Sequence, residues 1–259
     1  MKQSFALLAV VALLSQTFAL PFVGSVNQKQ HYITQLVQVP DRGNLGVDLC
    51  PTCIQFTDQA IDVLLNIILN SGVVGTCGTL CSALATKTGS QALGAVCNIL
   101  CDVVGIEEFV KLLQKADLDP IYFCELLKTC AINDNGDAKI TTFSVSPSSG
   151  PQGTFRIDFG YTSMNGTGTG EIVLEVMTVD GIPVESGFIH ELAQAGNYTS
   201  SFSLKAQPDP NCDPSQGPCE QWIPGDYDVK IAICNGECGS KHPHSQTYDE
   251  GMTNFTITN

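Results

Sequence analysis

Apolar and polar positions repeat with two different periods along this chain, and the period changes just past the midpoint. The first part has helical spacing: polar residues recur on one face between Cys53 and Asn70, namely Gln55, Asp58, Gln59, Asp62 and Asn66. Two short helices rich in Ala, Val and Leu follow, and then a fourth helix over 107–115. Asp117 is placed as the N-cap of a fifth helix that ends at Cys130. The pattern therefore predicts a five-helix domain.

The second part alternates as half-buried strands do. Every second residue is apolar over 155–161 and over 227–233. Four more strand-like runs are 140–145, 171–179, 198–204 and 254–258, and turn clusters rich in Gly, Pro and Asn separate them. We therefore expect α and β structure in separate domains, the second being an antiparallel, immunoglobulin-like β-sandwich.

The N-terminus has the pattern of a secretory signal. Lys2 is followed by an apolar run over 5–14, and small residues at Thr17 and Ala19 place cleavage after Ala19. No later apolar stretch is expected to reach the roughly 20 residues that a membrane-spanning helix needs. We therefore predict a secreted, extracellular protein in four segments: a signal peptide over 1–19, a polar lead-in of unknown role over 20–45, a helical domain over 46–134 and a β domain over 135–259.

The charge of the chain excludes one class of partner. There are 26 acidic residues against 12 basic ones, which gives a net charge of −14. Such a field repels phosphate backbones and anionic headgroups. Nucleic acid is therefore excluded as a partner, and weak lipid binding is expected at neutral pH.

Eight of the 12 cysteines form a symmetric pattern in the helical domain. In chain order they are Cys50, Cys53, Cys77, Cys81, Cys97, Cys101, Cys124 and Cys130. The inner four have helical spacing, so two antiparallel helices joined by a turn at 86–90 pair Cys81 with Cys97 and Cys77 with Cys101. Spacing alone permits many other pairings, of which the nested one is geometrically coherent.

The β domain carries further marks of an exported protein. Its four cysteines are predicted to lie in turns, and the favoured connectivity is local: Cys212–Cys219 and Cys234–Cys238. Three glycosylation sequons begin at Asn165, Asn197 and Asn254. All three follow residue 160, so the helical domain stays bare and is the expected contact surface.

Catalytic and metal-binding motifs were sought, and none indicates a site. The stretch 133–140 resembles a calcium loop only faintly, because it lacks the required glycine and the closing acid, and a hinge turn is favoured. His242 and His244 lack further ligands, so a solvated loop is favoured over a metal site. No hydrolase elbow, metalloprotease helix or phosphate-binding glycine loop occurs. We expect no enzyme activity, no metal and no cofactor.

The helical segment resembles the saposin B-type family in its CxxC and Cx5C motifs and its helical stretches. The resemblance implies a disulfide-linked leaf with the pairs Cys50–Cys130, Cys53–Cys124 and Cys81–Cys97, and leaves Cys77–Cys101 as an additional link. The interval between Cys81 and Cys97 is longer than in that family. Members of the family wrap lipid tails or dimerise over apolar faces.

Most of the mature chain resembles the countin family, which joins a saposin-type module to a β-rich half. The resemblance is carried by the stretches 64–72, 117–122, 149–151 and 238–244. It implies a secreted counting factor of aggregating amoebae that limits group size by reducing cell–cell adhesion, working with other subunits of a larger complex. The cell-surface receptor stays unknown. The alternative is a saposin-like protein that binds lipid or perturbs membranes.

Overall fold

The structure, a computed structural model, describes residues 49–71, 75–116, 118–215 and 219–259. The predicted signal peptide and the polar lead-in lie outside these residues. The first part of the described chain is helical and the second part is built of β-strands. The five helices are α1 Leu49–Ser71, α2 Cys77–Thr88, α3 Gln91–Val104, α4 Ile106–Ala116 and α5 Pro120–Leu126.

Local sequence determines where α2 ends and α3 begins. The Thr76 hydroxyl accepts a hydrogen bond from the Thr79 amide at the start of α2, and Ser90 does the same for Leu93 at the start of α3. Gly89 lies between the two helices with a φ of 70°, a left-handed conformation that glycine adopts without strain. These caps place the hairpin turn within the predicted 86–90 segment.

The predicted start of α5 was wrong. Its N-cap is Asp119, and Pro120 is the first helical residue. Proline needs no hydrogen-bond partner at that position and disfavours helical backbone in the residue before it, so the helix begins after Asp119 and Asp117 is not its cap. The helix also ends before the predicted Cys130, because Lys128 adopts a left-handed backbone with a φ of 60°.

One apolar core fills the space between the five helices. Its fully buried residues include Leu64 of α1, Leu84 of α2, Phe109 of α4 and Phe123 of α5. The rings of Phe109 and Phe123 meet edge to face, with their centroids 5.5 Å apart.

Helix α1 is longer and more apolar than the sequence analysis expected. The 22 residues Leu49–Asn70 have the length and composition of a membrane-crossing helix, contrary to the expectation that no later stretch reaches that length. The helix begins at Leu49, before the predicted Cys53, which adds a further turn. Packing against the other helices buries 44% of its most apolar stretch.

Six disulfides cross-link the described chain, and no cysteine within it is free. Four lie in the helical part: Cys50–Cys130, Cys53–Cys124, Cys77–Cys101 and Cys81–Cys97. The other two are Cys212–Cys219 and Cys234–Cys238. The outer pairs tie the start of α1 to α5 and the segment after it, and the inner pairs join α2 to α3.

The β part consists of two sheets. Its strands are β1 Lys139–Ser146, β2 Ser149–Gly150, β3 Gly153–Ser163, β4 Gly170–Met177, β5 Pro183–His190, β6 Gly196–Ala206, β7 Gly225–Asn235 and β8 Gln246–Ile257. One sheet has the order β1-β3-β6, and the other has the order β2-β8-β7-β4-β5. Phe155 of the first sheet and Phe255 of the second lie 4.4 Å apart, centroid to centroid, within one shared core. The two sheets therefore pack against each other.

Three details of the β part differ from the sequence-based expectation. The pairing is not wholly antiparallel, because the two-residue β2 runs parallel to β8. Strands β2 and β5 were not predicted: β2 has two residues, and polar residues and a glycine interrupt the apolar alternation of β5. Cys234 was expected in a turn but lies in β7, next to a shift of register opposite β8.

Candidate functional site

The surface of the α2–α3 hairpin is almost free of charge. In a chain with a net charge of −14, α2 and α3 together carry one basic residue, Lys87, and one acidic residue, Asp102. Ile99 and Val103 lie four residues apart on α3, with 56% and 60% of their surfaces exposed. We call this exposed side of α3, defined by Ile99 and Val103, the hairpin surface.

The three sequon asparagines lie on the β part, and all are exposed. Asn165 follows β3, Asn197 lies in β6 and Asn254 lies in β8. The Asp137 carboxylate fixes the turn at Asn165, since it accepts hydrogen bonds from the amides of Asn165 and Met164. These bonds lower the pKa of Asp137 below its ordinary value. None of the three positions belongs to the hairpin surface.

The helical and β parts meet where α5 contacts the loop between β7 and β8. The Asp119 carboxylate accepts a hydrogen bond from the Ser240 hydroxyl at 2.7 Å, while its other oxygen caps α5 through the Tyr122 amide. The Tyr122 ring stacks on the His242 ring, with centroids 4.5 Å apart and planes 10° apart. The predicted solvated loop at 242–244 is therefore part of a contact between the two parts.

Backbone hydrogen bonds extend this contact into the connecting segment. The Thr169 amide donates to the Ala131 carbonyl at 2.9 Å, and the Ala131 amide donates to the Thr169 hydroxyl at 3.2 Å. The Thr169 hydroxyl also lies 3.7 Å from the sulfur of Cys50. His244 Nδ1 lies 2.7 Å from Asp134 Oδ1. We call this contact the junction: it is formed by α5, the connecting segment 127–138 between α5 and β1, the β7–β8 loop, and Thr169 just before β4.

A buried carboxyl group lies in the junction. Glu125 of α5 is 3% exposed, and its Oε1 has no hydrogen-bond partner among the described residues. Burial raises the pKa of Glu125 from 4.5 to about 7; His244 lowers it, while Asp119 and Asp134 raise it. The sequence analysis missed this residue, although a single acid within the apolar run Tyr122–Leu127 was a detectable signal.

His190 is a second buried titratable group, and its contacts lie inside the β part. His190 is held by Thr167 and by the Cys234 carbonyl, 2.8 Å from its Nε2, and burial lowers the pKa of His190. Within the described ranges no group of three His, Cys, Asp or Glu side chains is placed to hold a metal ion. The stretch 133–140 forms a turn and the start of β1.

Comparisons with known proteins identify the relatives of this chain. The model of the countin N-terminal domain matches residues 48–128, and the model of the countin C-terminal domain matches residues 138–259. Countin-1 of Dictyostelium discoideum is 38% identical over 214 residues, which cover 82% of this chain and 79% of that protein. Countin-2 of the same organism is 38% identical over 224 residues, which cover 84% and 81%.

Similarity to solved structures is remote. The C-terminal domain of wzt is 13% identical with a TM-score of 0.34, over 50% of this chain and 78% of that one, which supports no conclusion about the fold. The relatives and the two domain models together account for most of the chain. The chain therefore belongs to the countin family.

Proposed function

We propose that this protein is a secreted counting factor that limits the size of multicellular groups. In this proposal it acts without enzyme activity or a cofactor, as one subunit of a larger extracellular complex that reduces cell–cell adhesion. Membership of the countin family is the observation that carries the proposal. The six disulfides support an extracellular location, because such cross-links persist in oxidising compartments.

The hairpin surface is the proposed contact with the other subunits. Ile99 and Val103 expose apolar area on a hairpin that carries two charged residues. The net negative charge of the rest of the protein opposes association with other acidic surfaces. The links Cys77–Cys101 and Cys81–Cys97 fix the two helices of this hairpin. A rigid apolar surface loses little conformational entropy on binding, which favours its use as an interface.

The organisation that we propose keeps the sequence-derived division. Residues 1–19 are a cleaved signal, 20–45 a lead-in, 46–134 a saposin B-type domain and 135–259 an immunoglobulin-like sandwich with glycans at the three sequons. Five helices and the pairs Cys50–Cys130 and Cys53–Cys124 support the saposin assignment. Two packed sheets support the sandwich.

The test is an aggregation assay with the secreted full-length protein. Wild-type protein added to aggregating amoebae is expected to reduce group size. When it is purified from the medium under native conditions, other subunits of the complex are expected to co-purify with it. The double variant Ile99→Asp/Val103→Asp adds two charges to the hairpin surface and is expected to lose both effects. Met252→Asp is the matched control, because Met252 is 65% exposed in β8, two residues from the sequon at Asn254.

Two outcomes contradict different parts of this proposal. A wild-type protein that stays monomeric in medium and leaves group size unchanged contradicts the counting function. A fully active Ile99→Asp/Val103→Asp variant leaves the function standing but removes the hairpin surface from it.

Lipid binding is the second candidate function. The exposed Leu69, Ile99 and Val103 of the helical part favour it, since they offer apolar area to acyl chains. The net charge opposes binding to anionic vesicles at neutral pH, so flotation with such vesicles is expected to be weaker at pH 7 than at pH 4.5. Dye leakage from liposomes, or lipid that co-purifies with the protein, favours this candidate over the first.

A further inference from the structure

We propose that the junction is an acid-closed clamp: a protonated Glu125 lets the helical and β parts stay in contact, and its ionisation loosens that contact. The proposal is independent of the counting function. Glu125 is suited to this role by position, since it is buried in the helix whose first residues contact the β7–β8 loop. Its Oε1 lacks a partner among the described residues, so ionisation places charge on a buried oxygen that no hydrogen-bond donor contacts.

The charged groups around Glu125 come from three segments. Asp119 lies at the start of the same helix, Asp134 lies in the connecting segment, and His244 lies in the β7–β8 loop. Of the helices packed on α5, α4 places the Lys115 amine 5.8 Å from the centre of the Tyr122 ring. Helix α1 meets α5 through uncharged groups, the Cys53–Cys124 link and the hydroxyl of Thr57.

These positions determine the effect of each protonation state. When Glu125 is protonated, Asp119 has Ser240 as its partner, Asp134 has His244, and the buried carboxyl is neutral. When Glu125 ionises, its carboxylate joins those of Asp119 and Asp134 near the contact, and repulsion between the three acts there. Burial supports the proposal, because it raises the pKa of Glu125 to about 7, so this change occurs near neutral pH.

The junction can respond because loops and segment ends form it. Within the described residues the extensive helix and strand contacts lie inside the helical part or inside the β part, and none joins the two. The pairs Asp119–Ser240, Tyr122–His242 and Ala131–Thr169 therefore carry much of the contact. A repulsive charge among so few contacts opens the junction without unfolding either core.

The geometry of His244 indicates that the β side of the junction is preorganised. His244 has a φ of 75°, an uncommon left-handed conformation for a residue other than glycine. Its carbonyl accepts a hydrogen bond of 2.7 Å from the side chain of Asn235, which is fully buried in β7. The imidazole is thereby fixed against Asp134, on the side of the junction that faces Glu125.

Hydrogen exchange of the full-length protein tests the clamp. The amides of Ala131 and Thr169 report opening of the junction, and the amide of Val229 in the buried core of β7 reports global unfolding. After correction for intrinsic exchange, protection at Ala131 and Thr169 is expected to fall about tenfold or more between pH 6 and pH 8.5, the change that roughly one unit of pKa shift produces. Protection at Val229 is expected to stay well above that of the two junction amides throughout this range, because the junction opens without unfolding of the β core.

The isosteric variant Glu125→Gln isolates the charge. It is expected to keep the junction amides protected at both pH values, because its side chain cannot ionise. Glu108→Gln is the matched control: Glu108 is half-exposed on α4, and this variant is expected to show the full wild-type decrease. A wild-type junction that does not respond to pH overturns the proposal, and so does an equal response in Glu125→Gln.

A second variant tests the proposal if Glu125→Gln fails to fold. Asp134→Asn removes one repelling carboxylate and frees His244 to face Glu125, so the ionised form costs less inside the junction. The loss of protection is then expected to be smaller than in the wild type and to level off at a lower pH. A loss in Asp134→Asn that equals the wild-type loss overturns the proposal.

Discussion

Tyr122 and His242 stack with their ring centroids 4.5 Å apart, although one belongs to α5 and the other to the loop between β7 and β8. The contact joins the helical part to the β part beside the Asp119–Ser240 hydrogen bond. The sequence analysis had assigned His242 to a solvated loop, so this stack is a finding of the structure.

His242→Ala removes the stack and is expected to weaken the junction by about 0.5–1.5 kcal/mol, the usual contribution of an aromatic pair. A double-mutant cycle with Tyr122→Leu measures the coupling, with exchange at Ala131 and Thr169 as the readout. Lys241→Ala serves as the control, since Lys241 is an exposed neighbour. A coupling energy near zero contradicts a stabilising stack.

Glu125→Gln is expected to change how the free energy of unfolding depends on pH. The pKa of Glu125 is about 7 in the folded protein and 4.5 ordinarily, so the folded state binds the extra proton between these values. The stabilisation by that proton is complete below pH 4.5 and is lost as pH rises through 7. The variant is therefore expected to gain stability over the wild type with rising pH, by up to about 3 kcal/mol.

Chemical denaturation of both proteins at pH 5, 6, 7 and 8 measures this difference. Comparing the two proteins cancels the contribution of other carboxylates, such as Asp249, whose pKa is lowered in both. A difference in stability that is flat across this range contradicts the burial of an ionisable group at position 125.

The disulfides are expected to contribute according to the length of chain that each closes. Cys53–Cys124 spans 71 residues and Cys212–Cys219 spans 7, so loop entropy predicts about 4 and about 2 kcal/mol. Replacing both cysteines by alanine in each pair, followed by thermal unfolding, tests this order.

The single variant Cys53→Ser frees the thiol of Cys124 and is expected to disrupt secretion as well. Peptide mapping of unreduced wild-type protein that links the cysteines differently contradicts the nested pattern.

Gly94→Ala is expected to destabilise the hairpin by about 1–3 kcal/mol. A methyl group there meets the Cβ of Ala85 at 2.8 Å and the Cys81 carbonyl oxygen at 3.1 Å, so α2 and α3 must move apart. Gly78→Ala is the matched control, because its only contact is the Thr76 hydroxyl oxygen at 3.9 Å. That variant is expected to equal the wild type or exceed it by up to about 1 kcal/mol through helix propensity. Equal thermal stability of both variants argues against close packing at Gly94.

Each sequon is expected to carry one glycan, as the proposed secretion of the protein predicts. Single Asn→Gln changes at 165, 197 and 254 then each increase electrophoretic mobility by one step, and enzymatic deglycosylation removes the differences. Asn211→Gln is the control, because Asn211 is exposed but begins no sequon. A sequon whose loss leaves mobility unchanged is not used.

The helices and most strands could be predicted because each has a regular period of its own. The polar face of α1 and the alternation in β3 and β7 depend on local sequence, and all three elements cover the predicted stretches, with α1 starting one turn earlier. Strand β5 could not be predicted in this way, because pairing with β4 fixes it rather than its own alternation. The N-cap of α5 was misplaced since two acids stand close together, and only Pro120 distinguishes them.

The junction shows what local patterns cannot reveal. The segments 118–122 and 238–244 are far apart in sequence, and neither has a period that predicts contact with the other. Both belong to stretches by which the chain resembles the countin family, so the resemblance marked the segments without saying that they meet. The buried state of Glu125 likewise depends on the surrounding fold, which hydropathy along one helix does not contain.

The disulfide between Cys50 and Cys130 closes the helical part into a covalent loop. A protease that cuts the backbone once at any point between these two cysteines opens the loop but releases no fragment, because the two pieces stay joined by the disulfide. A cut at Gly89 leaves its two sides connected by all four links of the helical part. Nicked molecules in a protease-rich medium therefore stay in one piece until a reductant reaches them.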